Sequence, residues 1–245
     1  MTVPQFPGAV GLSDLHVYDH TAPDGVAGGS PHLHTICAEA YVVAGGRGRL
    51  QTLTLKDGYH ETELETGDVV WFEPGTIHRA VNDGGLRVVV VMQNAGLPEA
   101  GDAFLTFPYI DLVNESSYAR AAALTSATVA ERFSQAIARR DRALQGFTEL
   151  VTASLLGNNA PLESFLHRVV ELARPRAAGW VQLVEEGPLA QARHAHTQAE
   201  RIASGDAAPD LSGAVWKIPR PTERTPGMCG ALHAYDTIRK GMTFS

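Results

Sequence analysis

The sequence has few cysteines, few lysines and no long apolar run. Its 245 residues contain only two cysteines, Cys37 and Cys229, too few for the disulfide framework of a small secreted domain. No stretch approaches the ~20 consecutive apolar residues that a membrane-spanning helix needs. The first seven residues show neither a basic region nor an apolar segment, so we expect no secretory signal. The sequence therefore favours a soluble, cytoplasmic protein without a membrane partner.

Positive charge is scarce in the first half of the chain. The net charge is −7. Residues 1–115 hold 15 acidic against 5 basic side chains, whereas residues 116–245 hold 12 against 15. Because nucleic-acid affinity depends on Lys and Arg side chains that neutralise phosphates, this distribution disfavours a nucleic-acid partner. We expect a small-molecule substrate instead.

Apolar residues make up 44% of the chain, which is ample for a buried core and excludes wholesale disorder. Short runs of β-formers at about ten-residue spacing predict a sandwich or small barrel in the first half. The predicted strands are Ala38–Val43, Arg49–Leu55, Tyr59–Leu64, Val69–Phe72 and Leu86–Met92. Glycine-rich breaks separate them, including Gly45-Gly46 and Asp83-Gly84-Gly85. We predict that the second of these is a tight hairpin turn.

The pattern becomes helical after about residue 115. Apolar spacing predicts helices at Ser126–Arg142, Gly146–Leu156, Pro161–Ala173 and Pro188–Ala203. A linker is expected at Gly205–Pro209, followed by two short strands at Ala214–Ile218 and Ala231–Tyr235. We therefore divide the chain into a β barrel over residues 1–115 and a mostly helical extension over residues 116–245.

Four side chains in the β half have the chemistry of a metal site. His32 and His34 lie two residues apart, so in a strand their imidazoles face the same side. Glu39 needs a turn or bulge to reach that side, and His78 follows the tight turn at Pro74-Gly75. Three imidazoles and one carboxylate suit a first-row divalent ion. An octahedral ion would keep two positions for substrate, water or dioxygen, whereas four ligands would saturate tetrahedral zinc.

The spacing of these residues resembles the two sequence motifs of the cupin superfamily. The first motif is matched at His32, His34, Glu39 and Gly46, and the second at Gly67, Gly75, His78 and Asn82. Two turn positions depart from the pattern. Glu73 occupies the usual proline position, and Val26 replaces a glycine before the first histidine. The resemblance covers about residues 10–110 and implies a double-stranded β-helix, or jelly-roll, barrel.

The resemblance also implies a function. Cupins with this ligand set include dioxygenases, so we expect a metal-dependent, oxygen-using oxidoreductase that acts on a small organic molecule. Its metal would be held by His32, His34, Glu39 and His78, with no catalytic residue beyond these ligands. Fe(II) is favoured, and Mn, Ni, Cu, Co or Zn are open alternatives. Because such barrels leave an open sheet edge, a homodimer is expected.

Two other functions stay open. A non-redox isomerase, epimerase or cyclase would need a nearby base, for which Glu73 and His60 are candidates. A metabolite-sensing transcription regulator would need a DNA-binding helical region, which the weak positive charge of residues 116–245 disfavours.

Several neighbours of the motif residues are candidates for substrate binding. Alternation from Glu39 turns Tyr41 toward the predicted pocket, where it could also be ordinary core. Arg49 and Gln51 alternate on the following strand and could hold a substrate carboxylate or carbonyl. Cys37, three residues after His34, is interpreted as a small buried side chain rather than a redox-sensitive neighbour of the metal.

Overall fold

The computed structural model describes residues 5–205 and 213–237. Within these ranges an antiparallel β region comes first, five helices follow, and two short strands return to the β region. The first seven strands are β1 (Gly11–Val17), β2 (His32–His34), β3 (Glu39–Thr54), β4 (Gly58–Glu65), β5 (Val69–Phe72), β6 (Ile77–Met92) and β7 (Ala103–Leu105). The helices are α1 (Tyr109–Leu112), α2 (Glu115–Ala122), α3 (Val129–Leu155), α4 (Ala160–Glu186) and α5 (Pro188–Ala203). The last two strands are β8 (Thr225–Pro226) and β9 (Gly230–Ala234).

The strands of the described residues form one nine-stranded antiparallel sheet. Its main path runs β4-β3-β6-β1-β9-β8, β5 pairs with β3, and β2 lies between β6 and β7. The sheet encloses a core of alternating apolar side chains, among them Leu15, Tyr41, Leu50 and Val88. The predicted jelly-roll β half and helical second half are confirmed.

Two 16-residue strands, β3 and β6, pair along almost their whole length and bend together at their centres. The register shifts between Val43 and Gly48. Gly46 has a positive φ of 71°, and a Cβ on it would lie 2.2 Å from the carbonyl oxygen of Gly85, so only glycine fits there. Asn82 supports the bend from β6, since its Oδ1 accepts hydrogen bonds from the backbone N–H groups of Gly84 and Leu86.

These bends correct two predictions. Asp83-Gly84-Gly85 is not a hairpin turn, because it lies inside the continuous strand β6. Gly45-Gly46 does not separate two strands, because both residues lie inside β3. A glycine-rich break in sequence therefore marks a bulge in each case. The two bulges face each other and let the long strands curve without ending.

The helices pack against one end of the barrel. Ser126–Arg142 and Gly146–Leu156, predicted as separate helices, form the single helix α3, which begins with a capping box between Thr128 and Glu131. A shared core joins barrel residues such as Leu53 and Phe104 to helix residues such as Phe147. Among the described residues, no helix combines the length and the apolar character needed to cross a bilayer.

The C-terminal segment returns to the sheet. Strand β9 pairs with β1, from Ser13 opposite Ala234 to Val17 opposite Gly230, and overlaps the strand predicted at Ala231–Tyr235. Residues 214–218 form no regular strand. The predicted linker lies outside the described residues apart from Gly205. The division at residue 115 stays a prediction, although the second region contributes strands to the sheet of the first.

Substitution of one glycine in α3 and one in α4 tests how closely α3 packs on the barrel, with the α4 position as the control. A Cβ at Gly146 would lie 2.3 Å from the carbonyl oxygen of Thr106, whereas a Cβ at Gly179 in α4 would meet nothing within 4 Å. We predict that Gly146→Ala lowers the free energy of unfolding by about 1–3 kcal/mol, because helix and barrel must move apart. Gly179→Ala should raise it by about 0.4–1 kcal/mol. Urea unfolding of both variants measures the difference, and a stabilised Gly146→Ala protein would contradict the packing.

Candidate metal centre

Four buried side chains meet at the inner end of the barrel. His32 and His34 come from β2, Glu39 begins β3, and His78 lies in β6. His32 pairs directly with His78 across the sheet, which brings together residues more than 40 positions apart. One donor atom from each of the four side chains lies within 4.8 Å of all the others. The structure therefore brings together the four residues predicted from the motifs, and the cluster could hold a metal ion.

The donor atoms in this cluster face one another without forming a hydrogen-bond network. Glu39 Oε2 lies 3.1 Å from His78 Nε2 and 3.4 Å from His34 Nε2. Both Glu39 Oε2 and His78 Nε2 are nevertheless buried without a hydrogen-bond partner among the residues that the structure describes. A buried polar atom left without a partner is costly. A cation between these atoms would satisfy all of them, so the residues present fit a divalent metal.

The outer nitrogen of each imidazole contacts a hydrogen-bond acceptor. His32 Nδ1 lies 2.9 Å from the carbonyl oxygen of Ser30, and His78 Nδ1 lies 3.1 Å from that of Thr76. His34 Nδ1 lies 3.2 Å from Asp102 Oδ2. Because carbonyl and carboxylate oxygens only accept hydrogen bonds, each Nδ1 carries the proton. The three Nε2 atoms are thereby left to face the centre of the cluster, as metal-binding histidines require.

The electrostatics show what the cluster does in the absence of a cation. Burial lowers the pKa of His34, but the nearby carboxylates of Asp102 and Glu39 outweigh burial and raise it to about 9. Burial raises the pKa of Glu39, yet the imidazoles of His34 and His78 bring it well below its usual value. Burial lowers the pKa of His32 far below normal. The two carboxylates thus favour positive charge at this cluster, which a bound cation would also supply.

Asp102 contacts His34 of this centre, and the sequence analysis did not predict it. It is fully buried in the segment before β7, and besides His34 it accepts hydrogen bonds from the backbone N–H groups of Thr35, Ile36 and Cys37. These bonds organise the turn that Glu39 needs in order to reach the histidines. Asp102 belongs to neither motif, and only its place directly before a run of β-formers could have drawn attention to it.

A cavity of about 480 Å³ opens onto the cluster. His32, His34 and Glu39 line it, while His78 lies fully buried behind them. Most of the remaining wall is apolar, with side chains from β1, β6, the segment after β6 and the C-terminal segment. The apolar lining includes Leu12, Leu15, Val90, Met92, Pro98, Met228, Leu232 and Ala234. The polar lining residues outside the cluster are Ser13, Glu99, Tyr235, Asp236 and Thr237. The C-terminal segment thus closes one side of the cavity.

The three residues predicted to bind substrate lie elsewhere. Tyr41 is fully buried, and its hydroxyl is 3.7 Å from Cys229 Sγ. Arg49 is ion-paired with Asp83 and Glu61, and Gln51 donates a hydrogen bond to Glu61. None of the three is among the described residues that line the cavity, so their role in substrate binding stays a prediction.

The other side chains considered from the sequence also receive a place. Cys37 is almost fully buried in the core shared by barrel and helices, and burial raises the pKa of its thiol, which agrees with a structural role. Cys229 lines the cavity, and burial raises its pKa to about 12. Glu73 and His60, the candidate bases, are both exposed and do not line the cavity.

Removal of a single donor tests whether the cluster binds metal. We predict that His78→Ala and Glu39→Gln each weaken Co(II) binding by more than ~100-fold, a larger loss than outer contacts produce. His60→Ala is the matched control, because His60 is exposed and its Nε2 lies 2.8 Å from the carbonyl oxygen of Asp57, outside the cluster. Competition with a chelator and elemental analysis measure binding. Equal metal content in His78→Ala and His60→Ala would refute the assignment.

Comparison with known protein families finds one family model that matches part of the chain. Residues 19–92 match the family model described as Cupin domain. A comparison with curated proteins finds no match to the chain.

Two solved structures with low overall similarity to the chain are described as a double-stranded β-helix protein and a cupin. A conserved protein with a double-stranded β-helix domain from Klebsiella pneumoniae is 19% identical, with a TM-score of 0.28 over 37% of this chain and 69% of its own. A cupin protein from Bacteroides fragilis is 21% identical, with a TM-score of 0.26 over 36% and 65%.

The capsular polysaccharide assembling protein CapF from Staphylococcus aureus is 20% identical, with a TM-score of 0.29. The match covers 36% of this chain but only 24% of CapF. These similarities are confined to about a third of the chain, and no functional statement rests on them. The match to the family model, which spans all four clustered side chains, identifies residues 19–92 as a cupin domain.

Proposed function

We propose that this chain is a metal-dependent cupin enzyme that acts on a small organic molecule, and that it is an oxygen-using oxidoreductase of the dioxygenase kind. Fe(II) is the preferred metal in this proposal, with Mn, Ni, Cu, Co or Zn as alternatives that share the same ligand types. When bound, the metal would supply Lewis-acid chemistry toward substrate oxygen atoms and a place for dioxygen to react.

One observation carries the proposal: the four-residue cluster opens directly into a largely apolar cavity. A structural metal site would be closed on all sides, whereas here His32, His34 and Glu39 form part of the cavity wall. A volume of about 480 Å³ lies within the range of small-molecule sites. Ligand and metal would therefore meet at the inner end of the cavity.

The side chains of the chain would have distinct tasks in this reaction. His32, His34, His78 and Glu39 would hold the metal in one fixed position. The apolar walls from Leu12, Val90 and Leu232 would orient the substrate and exclude water, which strengthens every electrostatic interaction inside. The cavity offers the substrate the carboxylates of Glu99 and Asp236 as polar contacts.

Oxygen consumption tests the proposal directly. We predict that Fe(II)-loaded protein consumes dioxygen when it is given one of a set of small oxygen-bearing apolar compounds, such as catechols, hydroxylated aromatics or β-diketones. Glu39→Gln should consume none above background, because it lacks the anionic donor. An oxygen electrode combined with mass spectrometry of products formed under ¹⁸O₂ measures both uptake and incorporation. A compound converted with no oxygen uptake would contradict the oxidoreductase proposal.

A second function is favoured by one residue of the cavity wall. Glu99 is one of the residues that line the cavity, although it is exposed, and its Oε2 accepts a hydrogen bond from the backbone N–H of Gly96. A base at this position could serve a non-redox isomerase, epimerase or cyclase, in which the metal would stabilise an enolate. Glu99 would then have the role that the sequence analysis gave to Glu73 or His60.

Glu99→Gln separates the two functions. If the reaction is a non-redox proton transfer, the variant should lose about 10²–10⁴-fold in kcat, because the amide cannot accept the proton. If the reaction is oxidative, the variant should keep its kcat within about tenfold while still binding metal. The measurement is the rate of substrate conversion by metal-loaded protein under air and under nitrogen.

The homodimer, the cytoplasmic location and the absence of a nucleic-acid partner stay predictions. Retention of the protein on heparin at physiological salt would favour the transcription-regulator alternative over both enzyme proposals.

A further inference from the structure

Asp102 joins the candidate metal centre to the turn that carries its ligands. Its side chain is fully buried, and its Oδ2 lies 3.2 Å from His34 Nδ1. Oδ1 accepts hydrogen bonds of 2.9 Å from the backbone N–H groups of Thr35 and Ile36, and the Thr35 hydroxyl also donates to it. The backbone N–H of Cys37 donates to Oδ2 over 3.2 Å. All of these partners are donors, as an ionised carboxylate requires.

The three clustered histidines differ in what holds their outer nitrogen. His32 and His78 each contact the carbonyl oxygen of the residue two positions before them, so each of these backbone partners lies just before the histidine's own strand. His34 instead depends on a side chain 68 positions away. Although His32 Nδ1 also lies 4.0 Å from Cys229 Sγ, His34 is the histidine of the cluster whose Nδ1 contacts a carboxylate.

We propose that Asp102 is a positioning residue for the metal: it keeps the His34 proton on Nδ1 and leaves the Nε2 lone pair for the ion. This inference rests on the metal-binding function proposed above. A carboxylate behind a metal-binding imidazole fixes the tautomer and raises the basicity of the ligand, and loss of such a partner typically costs about 10–100-fold in metal affinity. A purely structural Asp102 would organise the turn from Thr35 to Cys37 and have no such effect.

Asparagine and alanine at position 102 separate these roles. In Asp102→Asn, the remaining oxygen can still accept the N–H groups of Thr35 and Ile36, but the amide NH₂ then faces His34 Nδ1. Nδ1 must accept that hydrogen bond, so the proton moves to Nε2 and blocks the metal. In Asp102→Ala, no donor faces Nδ1 and the metal-binding tautomer stays accessible. However, alanine leaves the turn without any acceptor.

The two substitutions should therefore rank in opposite orders for affinity and stability. We expect Co(II) affinity to fall by about 10–100-fold in Asp102→Asn and by less in Asp102→Ala. Stability of the metal-free protein should fall further in Asp102→Ala than in Asp102→Asn. Thr35→Val is the matched control, because it removes one partner of Asp102 and leaves the bond to His34. Its Co(II) affinity should stay within about threefold of wild type.

Competitive titration with Co(II), urea unfolding of the metal-free proteins and NMR of the Zn(II)-loaded proteins provide the readouts. In wild type, the imidazole N–H signal of His34 should show a protonated Nδ1, and this signal should be lost in Asp102→Asn. An Asp102→Asn affinity within twofold of wild type would overturn the proposal, as would an alanine variant that binds more weakly than the asparagine variant. A His34 Nδ1 without a proton in wild type would do the same even if neither variant folds. If wild type binds no Co(II) or Zn(II), the metal function itself fails.

Discussion

Three imidazoles and one carboxylate are buried together at the inner end of an apolar cavity. The strands and turns that hold them must offset the cost of burying these polar atoms. Each buried donor or acceptor without a partner costs about 1–3 kcal/mol, and two such atoms, on Glu39 and His78, point into the cluster. Outward-facing Nδ1 atoms find acceptors, whereas inward-facing Nε2 atoms find only one another and Glu39. The outward-facing atoms of the cluster thus have hydrogen-bond acceptors in the protein, whereas the atoms that face its centre would be satisfied by a cation.

The fold tolerates this arrangement because its donors lie on paired, well-supported strands. Bulges at Gly46 and Gly85 allow β3 and β6 to pair over their full lengths while curving, which sets Glu39 and His78 on the same wall. Helix α3 is attached to the barrel, since the Thr106 hydroxyl after β7 donates a hydrogen bond to the carbonyl oxygen of Ala143 in α3. The apolar core that barrel and helices share supplies stability that the polar cluster does not.

The cluster could be predicted from the sequence because its residues occur in short motifs with recognisable spacing. His32 and His34 are close in sequence, and the turn at Gly75 precedes His78 at a recognisable spacing. The same reasoning took Gly45-Gly46 and Asp83-Gly84-Gly85 for strand ends, since a glycine-rich bulge and a turn have the same composition. Only the pairing partner across the sheet distinguishes them, and that partner lies about 40 residues away.

Other contacts of the centre could not be predicted because their partners are also far apart in sequence. Asp102 and the cavity wall from Met228 to Leu232 belong to no motif, and both reach the centre through strand pairings across the sheet. Arg49, which the sequence analysis proposed as a substrate contact, is ion-paired with Glu61 and Asp83. The sequence thus predicts the four clustered side chains, whereas the walls of the cavity follow from tertiary structure.

X-ray absorption spectroscopy of the Co(II)-loaded wild-type protein tests the central claim most directly, because it reports the atoms around the ion itself. The account predicts one ion per chain with a nitrogen and oxygen shell at ~2.1 Å and the multiple-scattering pattern of three imidazoles, which correspond to His32, His34 and His78. A shell of oxygen atoms alone, without imidazole scattering, would show that the metal binds elsewhere and would contradict the account.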